Sequence, residues 1–260
     1  MTKAATVCGV PWTLENGGCT ALPLPSDETI AGVARAHVAN LLPEAGVQDA
    51  DDVTLMVSEL ATNALLHGTP RSADGSRKPS AGAELWVYRR GDGRGRQELV
   101  VKIFDELRCW RRRPSAGPMP EHGRGLDIID MLSGGRWGHH ASRSRLRSPQ
   151  VSGKATWFAV PVRAARGRPL SADPAHALEE LGALLADRGL PAPVPVAPAG
   201  LSVGDLTVWC ERSAFHWCDL DGELARMPVA DITEVSEQLV RLHETAREGG
   251  AAARTPQRPA

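Results

Sequence analysis

Several features that would assign this 260-residue chain to a class at once are missing from its sequence. No stretch approaches the roughly 20 apolar residues that a membrane-spanning helix needs, and no basic segment followed by an apolar run opens the chain. Neither sign of charge is in excess, since 30 Lys and Arg residues stand against 31 Asp and Glu residues. The net charge therefore gives the chain no general attraction to nucleic acid or to an anionic membrane. Any ligand has to be bound by a particular group of residues.

Cysteine and aromatic residues are also scarce. The five cysteines form no C-x-x-C pair and no zinc-like set, and their odd number and irregular spacing are typical of a reducing compartment. We therefore expect a soluble, cytoplasmic protein. Aromatic residues make up 4% of a chain that is 42% hydrophobic, so we expect a core built mostly from Ala, Val and Leu.

Composition and turn signals divide the chain into five segments. They are a leader at 1–18, a main domain at 19–162, a linker with a short helix and a Pro/Ala-rich spacer at 163–200, a small C-terminal hairpin-plus-helix appendage at 201–248, and a disordered tail at 249–260.

Hydrophobic spacing and capping residues predict the elements of these segments. The main domain has an edge strand at 19–24, a helix from the N-cap Ser26 to Pro43, a helix from Asp49 to Gly68, hairpin strands at 83–89 and 98–104, a helix at 125–132, and strands near 136–142 and 154–160. The rest has a helix at 174–188, an extended spacer at 191–199, a hairpin of Leu206–Cys210 with Phe215–Leu220, and a closing helix near 230–244.

Three polar side chains recur along the second predicted helix. Glu59, Asn63 and His67 are four residues apart, which puts them in one row, away from the apolar stripe of the same helix. An aligned carboxylate and amide oxygen suit a hard cation such as Mg²⁺ and the water or hydroxyl beside it. Taken alone, the row is explained equally well as the solvated face of an amphipathic helix.

Two later segments add a strand-end carboxylate and a glycine turn. Asp105 closes an apolar strand, where it can accept a hydrogen bond from an exocyclic amine or act as an ordinary turn residue. Residues 123–126 (Gly-Arg-Gly-Leu) precede a predicted helix, and glycines there let backbone N–H groups approach phosphates, although many helices begin after a glycine turn. Neither a Walker A loop nor a Rossmann fingerprint is present.

Together and in this order, these segments resemble the N-box, G1-box and G2-box of GHKL ATPases, the family of histidine-kinase catalytic domains and anti-sigma-factor serine kinases. The resemblance covers about residues 19–162, and its most specific part is E-x-x-x-N-x-x-x-H-G at 59–68. The sequences of residues 58–68 and 123–126 are similar to those of actinomycete ATP-binding proteins related to anti-sigma-factor kinases. One departure is Asp105-Glu106-Leu107, where the usual G1 pattern is D-x-G.

The resemblance implies an α+β fold, a two-layer α/β sandwich of the GHKL (Bergerat) type, that binds ATP and Mg²⁺. It makes Glu59 the general base, Asn63 the Mg²⁺ ligand and Asp105 the acceptor of the adenine amino group. Thr156, in a segment that resembles the last strand of the family's domain, is expected to support Asp105 from the neighbouring strand.

The resemblance also implies a lid over the triphosphate, formed by residues 107–122 and hinged at two glycines. The expected nucleotide-binding residues outside those already assigned are His67, Gly123, Arg124, Gly125 and Leu126. Arg111, Arg112 and Arg113 lie in this lid, where they contact phosphates or a partner, or are simply solvated.

The function that the resemblance implies is transcription regulation by an ATP-dependent serine/threonine kinase of the anti-sigma-factor type. Its substrate would be a regulatory protein such as an anti-sigma-factor antagonist, without direct contact with nucleic acid or membrane. The alternative is a non-catalytic nucleotide-binding or pseudo-kinase module that sequesters a sigma factor or another regulator. Whether the protein forms a homodimer stays open at this point.

Overall fold

The structure is a computed structural model. It describes residues 6–7, 10–11, 14, 18–68, 82–92, 94–108, 124–163, 173–197 and 199–253. The chain divides into two compact units, one of Trp12–Arg168 and the other of Met1–Pro11 with Pro169–Ala260. Among the described helices, none combines the length and the apolar character that crossing a membrane requires.

The described residues form twelve strands and five α-helices, a mixed α+β composition as the sequence predicts. In chain order these are β1 (Thr6–Val7), β2 (Val10–Pro11), β3 (Cys19–Pro23), α1 (Ile30–Ala45), α2 (Ala50–His67), β4 (Glu84–Gly91), β5 (Gln97–Asp105), α3 (Gly125–Ser133), β6 (Trp137–Arg143), β7 (Ser152–Val162), α4 (Pro174–Asp187), β8 (Val194–Val196), β9 (Gly200–Val203), β10 (Leu206–Glu211), β11 (Ala214–Cys218), β12 (Leu224–Pro228) and α5 (Ile232–Ala253).

The larger unit is built on a five-stranded antiparallel sheet with strand order β3-β4-β5-β7-β6. Helices α1, α2 and α3 pack on one face of this sheet, where their buried side chains form one core with alternate residues of the strands. Leu85, Val87 and Val101 belong to that core, whereas Trp86 and Phe104 stack on the opposite face with ring centroids 5.5 Å apart. The alternation follows from the two-residue period of a strand.

The register of β5 with β7 determines which polar residues share the helix-covered face. Ile103 lies opposite Thr156, and Asp105 lies opposite Lys154. Ile103 belongs to the core beneath the helices, so Asp105, two residues later, lies on the same face as Ile103. This register therefore brings a carboxylate and an ammonium together at the end of β5.

Helix α2 begins and ends where the sequence predicts, with Asp49 at its N-cap and Gly68 at its C-cap. The predicted start of α1 is wrong, because the helix begins at Ile30 with Thr29, not Ser26, as its N-cap. The Asp27 carboxylate accepts a hydrogen bond from the Thr29 backbone N–H at 2.9 Å, which forms a turn ahead of the helix. Asp27 thus lies outside the first turn.

The predicted end of α1 at Pro43 is also wrong. The helix includes Pro43 and ends at Gly46, whose positive φ of 69° is the left-handed conformation that glycine adopts at a helix C-terminus. The backbone N–H of Gly46 donates to the carbonyl of Leu42 at 3.0 Å. The helix therefore continues for two residues after Pro43, and the left-handed glycine, not the proline, marks its end.

The smaller unit contains a second five-stranded antiparallel sheet, with strand order β12-β11-β10-β9-β8. Strands β10 and β11 form the predicted hairpin, with Cys210 opposite Phe215, although β11 ends at Cys218 and not at Leu220. The spacer predicted to be merely extended contributes β8, which pairs with β9. Proline is tolerated in β8 because that strand lies at the edge of the sheet.

Two helices accompany this second sheet. Helix α4 starts after Asp173, whose carboxylate accepts a hydrogen bond from the Ala175 backbone N–H, and it closely matches the helix predicted from the Leu spacing. Helix α5 continues to Ala253 and so includes the first residues of the predicted disordered tail. The guanidinium of Arg188 forms a buried ion pair with Glu237 of α5.

Candidate functional site

The row of polar residues on α2 meets the beginning of α3. Glu59 and Asn63 are half-buried, and both lie against Gly125. A Cβ atom added to Gly125 would lie 2.5 Å from Glu59 Oε2 and 3.5 Å from Asn63 Nδ2. The absence of a side chain at Gly125 is therefore what lets the carboxylate and the amide approach the backbone of this helix N-terminus.

The N-cap residue of helix α3 makes no capping hydrogen bond with its side chain. Its N-cap is Arg124, which is exposed and in a helical conformation, and Gly125 is its first residue. Leu126 is half-buried and packs against the core beneath the helices. Backbone N–H groups at a helix N-terminus carry partial positive charge and attract anions, so this end of α3 is suited to a phosphate as well as to the Glu59 carboxylate.

Asp105 lies beside the C-terminal end of α2. A Cβ atom added to Gly68, the C-cap of α2, would lie 2.7 Å from Asp105 Cβ, so the end of the helix and the end of β5 are in close contact. Gly68 comes nine positions after Glu59, which corresponds to about 14 Å along the helix axis. The site is thus elongated, with Glu59 and Asn63 near one end and Asp105 near the other.

The Asp105 side chain is buried, and each of its two carboxylate oxygens contacts a nitrogen atom. Its Oδ1 accepts a hydrogen bond from the Leu107 backbone N–H at 3.0 Å, and its Oδ2 lies 3.0 Å from Lys154 Nζ. Burial raises the pKa of Asp105 to about 6, because the loss of hydration outweighs the attraction of the Lys154 ammonium group. The bond to Leu107 is the contact expected of a turn residue, and the ion pair is an additional contact.

Lys154 is the residue of this region that the sequence did not single out. Its only sequence signal is a charged residue within a strand that is otherwise mostly apolar on the helix-covered side. Lys154 lies directly opposite Asp105. Thr156, which was expected to support Asp105 from the neighbouring strand, is on that strand, two residues further along the same face and opposite Ile103. His139 of β6 lies opposite Thr156, and burial, followed by the nearby Lys154 charge, lowers the pKa of His139.

Two glycines allow the chain to close around Asp105. Gly68 contacts it from α2, and a Cβ atom on Gly153 of β7 would collide with the Asp105 carbonyl oxygen and would lie 2.8 Å from the ring of Phe104. Both are places of close backbone approach that only glycine permits. Gly68 was predicted to end a helix and to close the E-x-x-x-N-x-x-x-H-G motif, but its contact with Asp105 was not predicted.

A cluster of charged side chains holds the segment that follows Asp105. The guanidinium of Arg147 contacts Glu106 and the carbonyl oxygen of Gly82, and its Nε lies 3.8 Å from Glu84. Glu84 is itself buried and accepts hydrogen bonds from Trp86 Nε1 at 3.0 Å, from the Arg145 backbone N–H at 2.8 Å and from the Ser144 hydroxyl. These contacts hold Glu106, the residue before the position where the GHKL pattern has a glycine.

The remaining predicted site residues are distributed as follows. His67 is exposed in the last turn of α2, one turn beyond Asn63. Gly123 and residues 109–122, most of the predicted lid, lie outside the described residues, so the lid and its first hinge stay predictions. Within the described part of the chain, no three or more His, Cys, Asp or Glu side chains are grouped to hold a metal ion. A magnesium ion at Asn63 would therefore need phosphate oxygens and water as its further ligands, which is its usual coordination beside nucleotides.

Compared with models of known protein families and with curated proteins, the chain matches none.

Proposed function

We propose that residues 19–162 form a nucleotide-binding domain of the GHKL type, and that the protein transfers the γ-phosphoryl group of ATP to a serine or threonine of a regulatory protein. The observation that carries the proposal is the contact of Glu59 and Asn63 with Gly125. It joins an acid, an amide and a helix N-terminus at one end of an elongated site whose other end is the buried Asp105. A helix-covered antiparallel sheet supports the family assignment.

In this proposal the base of the nucleotide lies near Asp105 and the phosphates near α3. Asp105 accepts a hydrogen bond from the exocyclic amine, and the first N–H groups of α3 face the phosphate oxygens. Asn63 offers its amide oxygen to Mg²⁺, which when bound neutralises charge on the β- and γ-phosphates. The length of α2 between Glu59 and Gly68 provides the separation that an extended nucleotide requires.

Glu59 is the group that moves a proton. Its carboxylate accepts the proton of the attacking hydroxyl as that oxygen bonds to the γ-phosphorus, and the bond from the γ-phosphorus to the β,γ-bridging oxygen breaks. The products are a phosphorylated serine or threonine and ADP, with the proton held by Glu59. The half-buried position of Glu59 beside Gly125 suits this role, because it holds the carboxylate next to the N-terminus of α3, where the phosphates are proposed to bind.

The second candidate is a binding module without catalysis, which would sequester a sigma factor or another regulator. It is favoured by one specific observation, the ion pair of Asp105 with Lys154, since a nucleotide base has to share that carboxylate with an ammonium group already bound to it. Leu107 in place of the glycine of the family pattern favours it too. Both candidates use the same site.

Phosphoryl transfer separates the two candidates. The full chain is incubated with γ-labelled ATP, Mg²⁺ and purified sigma factors, anti-sigma-factor antagonists or both, and phosphoserine and phosphothreonine are located by mass spectrometry. Glu59→Gln should lower transfer by about 10²–10⁴-fold while ATP still binds. The matched control is Glu179→Gln, which removes the same charge from an exposed position of α4.

Three outcomes are informative. Undiminished transfer by Glu59→Gln would refute the assignment of the base. Binding of ATP and of a sigma factor without any transfer by the unaltered chain would favour the sequestering module. Failure of the folded chain to bind ATP at millimolar concentration in a calorimetric titration would exclude both. In the same titration Asp105→Asn should weaken ATP but not tripolyphosphate; equal weakening of the two would contradict a role at the base.

A further inference from the structure

The ion pair at the end of β5 places a donor beside an acceptor in the proposed base site. Lys154 Nζ lies 3.0 Å from Asp105 Oδ2, and only 8% and 7% of the two side chains are exposed. The two residues are directly opposite each other in the β5–β7 register, on the face that the helices cover. The pair is therefore fixed by the sheet and by its burial, and the site contains a cation in addition to the expected carboxylate.

Asp105 and Lys154 can form more hydrogen bonds than the one that joins them. An ionised carboxylate has about four acceptor positions, of which the Leu107 N–H and the Lys154 ammonium use two, one on each oxygen. An ammonium group has three N–H donors, and the bond to Asp105 uses one of them. Each partner can thus keep the ion pair and also bind one edge of a flat heterocycle.

The two purine bases differ in what they present along their hydrogen-bonding edge. Adenine offers an amino group beside a ring nitrogen that accepts. Guanine offers a carbonyl oxygen beside a ring N–H and an amino group. A carboxylate alone leaves an acceptor of either base without a donor, and the loss is greater for the guanine carbonyl oxygen, which has two lone pairs, than for the adenine ring nitrogen, which has one. A carboxylate with an adjacent ammonium group matches both bases.

We propose that Lys154 determines base specificity in this site, by admitting guanine nucleotides as a second class of ligand beside adenine nucleotides. The guanine carbonyl oxygen accepts from Lys154 Nζ, while the ring N–H and the 2-amino group donate to the Asp105 carboxylate. The inference rests on the proposed nucleotide site and extends it, since the family resemblance by itself implies adenine only.

Calorimetric titration of the full chain with Mg²⁺ and four ligands tests the inference. The ligands are ATP, GTP, ITP, which has the carbonyl group but lacks the 2-amino group, and tripolyphosphate, which has no base. The unaltered chain should bind GTP within about tenfold of ATP. Lys154→Met should weaken GTP and ITP at least about tenfold more than ATP, because their carbonyl oxygen then faces a thioether.

Two further variants control the experiment. Arg96→Met removes one positive charge at the opposite end of β5, in the hairpin turn, and should leave the ratio of ATP to GTP affinity unchanged. Lys154→Arg keeps a cation beside Asp105, so it should fold and retain GTP binding even where Lys154→Met does not fold.

The results separate failure of the inference from failure of the proposed function. An unaltered chain that binds ATP more than about tenfold tighter than GTP overturns the inference, as does an ATP to GTP ratio that Lys154→Met leaves unchanged. In both cases the nucleotide site itself stands. If the folded unaltered chain and Arg96→Met bind none of the four ligands, the proposed function is refuted and the inference falls with it.

Discussion

The buried carboxyl group of Asp105 should make the stability of the protein fall as the pH rises from about 4 to about 6. Burial raises the pKa of Asp105 from 3.8 to about 6, and the residue is only 5% exposed. Within this window the folded chain binds the Asp105 proton more than the unfolded chain does, so raising the pH favours the unfolded chain. A difference of about two pKa units corresponds to about 3 kcal/mol.

Asp105→Asn isolates this contribution, because asparagine has a similar shape and does not titrate. The free energy of unfolding is measured by urea denaturation from about pH 4 to about pH 8 for both chains. The neighbouring titratable groups, Lys154, Glu106 and His139, remain in both. We expect the unaltered chain to lose about 3 kcal/mol relative to the variant as the pH rises through the window.

Asp92→Asn provides the control for this measurement. Asp92 lies in the β4–β5 hairpin, where hydrogen bonds from Arg96 and Arg94 hold its pKa at about 2 in spite of some desolvation. Its contribution to stability is complete above about pH 4 and is lost only in more acidic solution, so the control difference should be flat over the measured range. If the Asp105 difference is also flat, or has the opposite sign, the Lys154 ammonium group outweighs burial and our account of Asp105 is wrong.

Three substitutions and one control substitution test the packing by urea denaturation. Gly125→Ala should leave the free energy of unfolding nearly unchanged but lower phosphoryl transfer, because its methyl group displaces the flexible end of Glu59; unchanged transfer would contradict this placement. Gly153→Ala should cost about 3 kcal/mol or more, since the added atom meets a backbone carbonyl, whereas the control Gly32→Ala, which meets open space in α1, should stabilise by up to about 1 kcal/mol. Glu84→Gln should cost about 2 kcal/mol, and an unaffected midpoint would show that its buried contacts are dispensable.

Helix ends could be predicted from the sequence where a capping residue or a terminal glycine determines them. Asp49 and Gly68 delimit α2 because a cap residue and a terminal glycine act within one turn. The same rules failed at the start of α1, where the Asp27 side chain forms a turn with Thr29 and does not join the helix. A proline-rich stretch concealed β8, because an edge strand tolerates residues that otherwise indicate a linker.

The contact between Asp105 and Lys154 could not be predicted from the sequence, because it depends on the pairing of two distant strands. Asp105 and Lys154 are far apart in the chain, and they meet only because β5 and β7 align in one particular register. A shift of one residue would turn Lys154 to the other face of the sheet. The row of Glu59, Asn63 and His67 could be predicted because helical geometry alone creates it.

The two glycines that flank Asp105 bear on how this protein can diverge. Gly68 and Gly153 leave no space for a methyl group on either side of the strand end, because the added atom would meet the Cβ atom or the backbone carbonyl of Asp105. Any residue with a side chain at position 105 has those atoms, so descendants of this sequence should retain both glycines even where they have lost the acid.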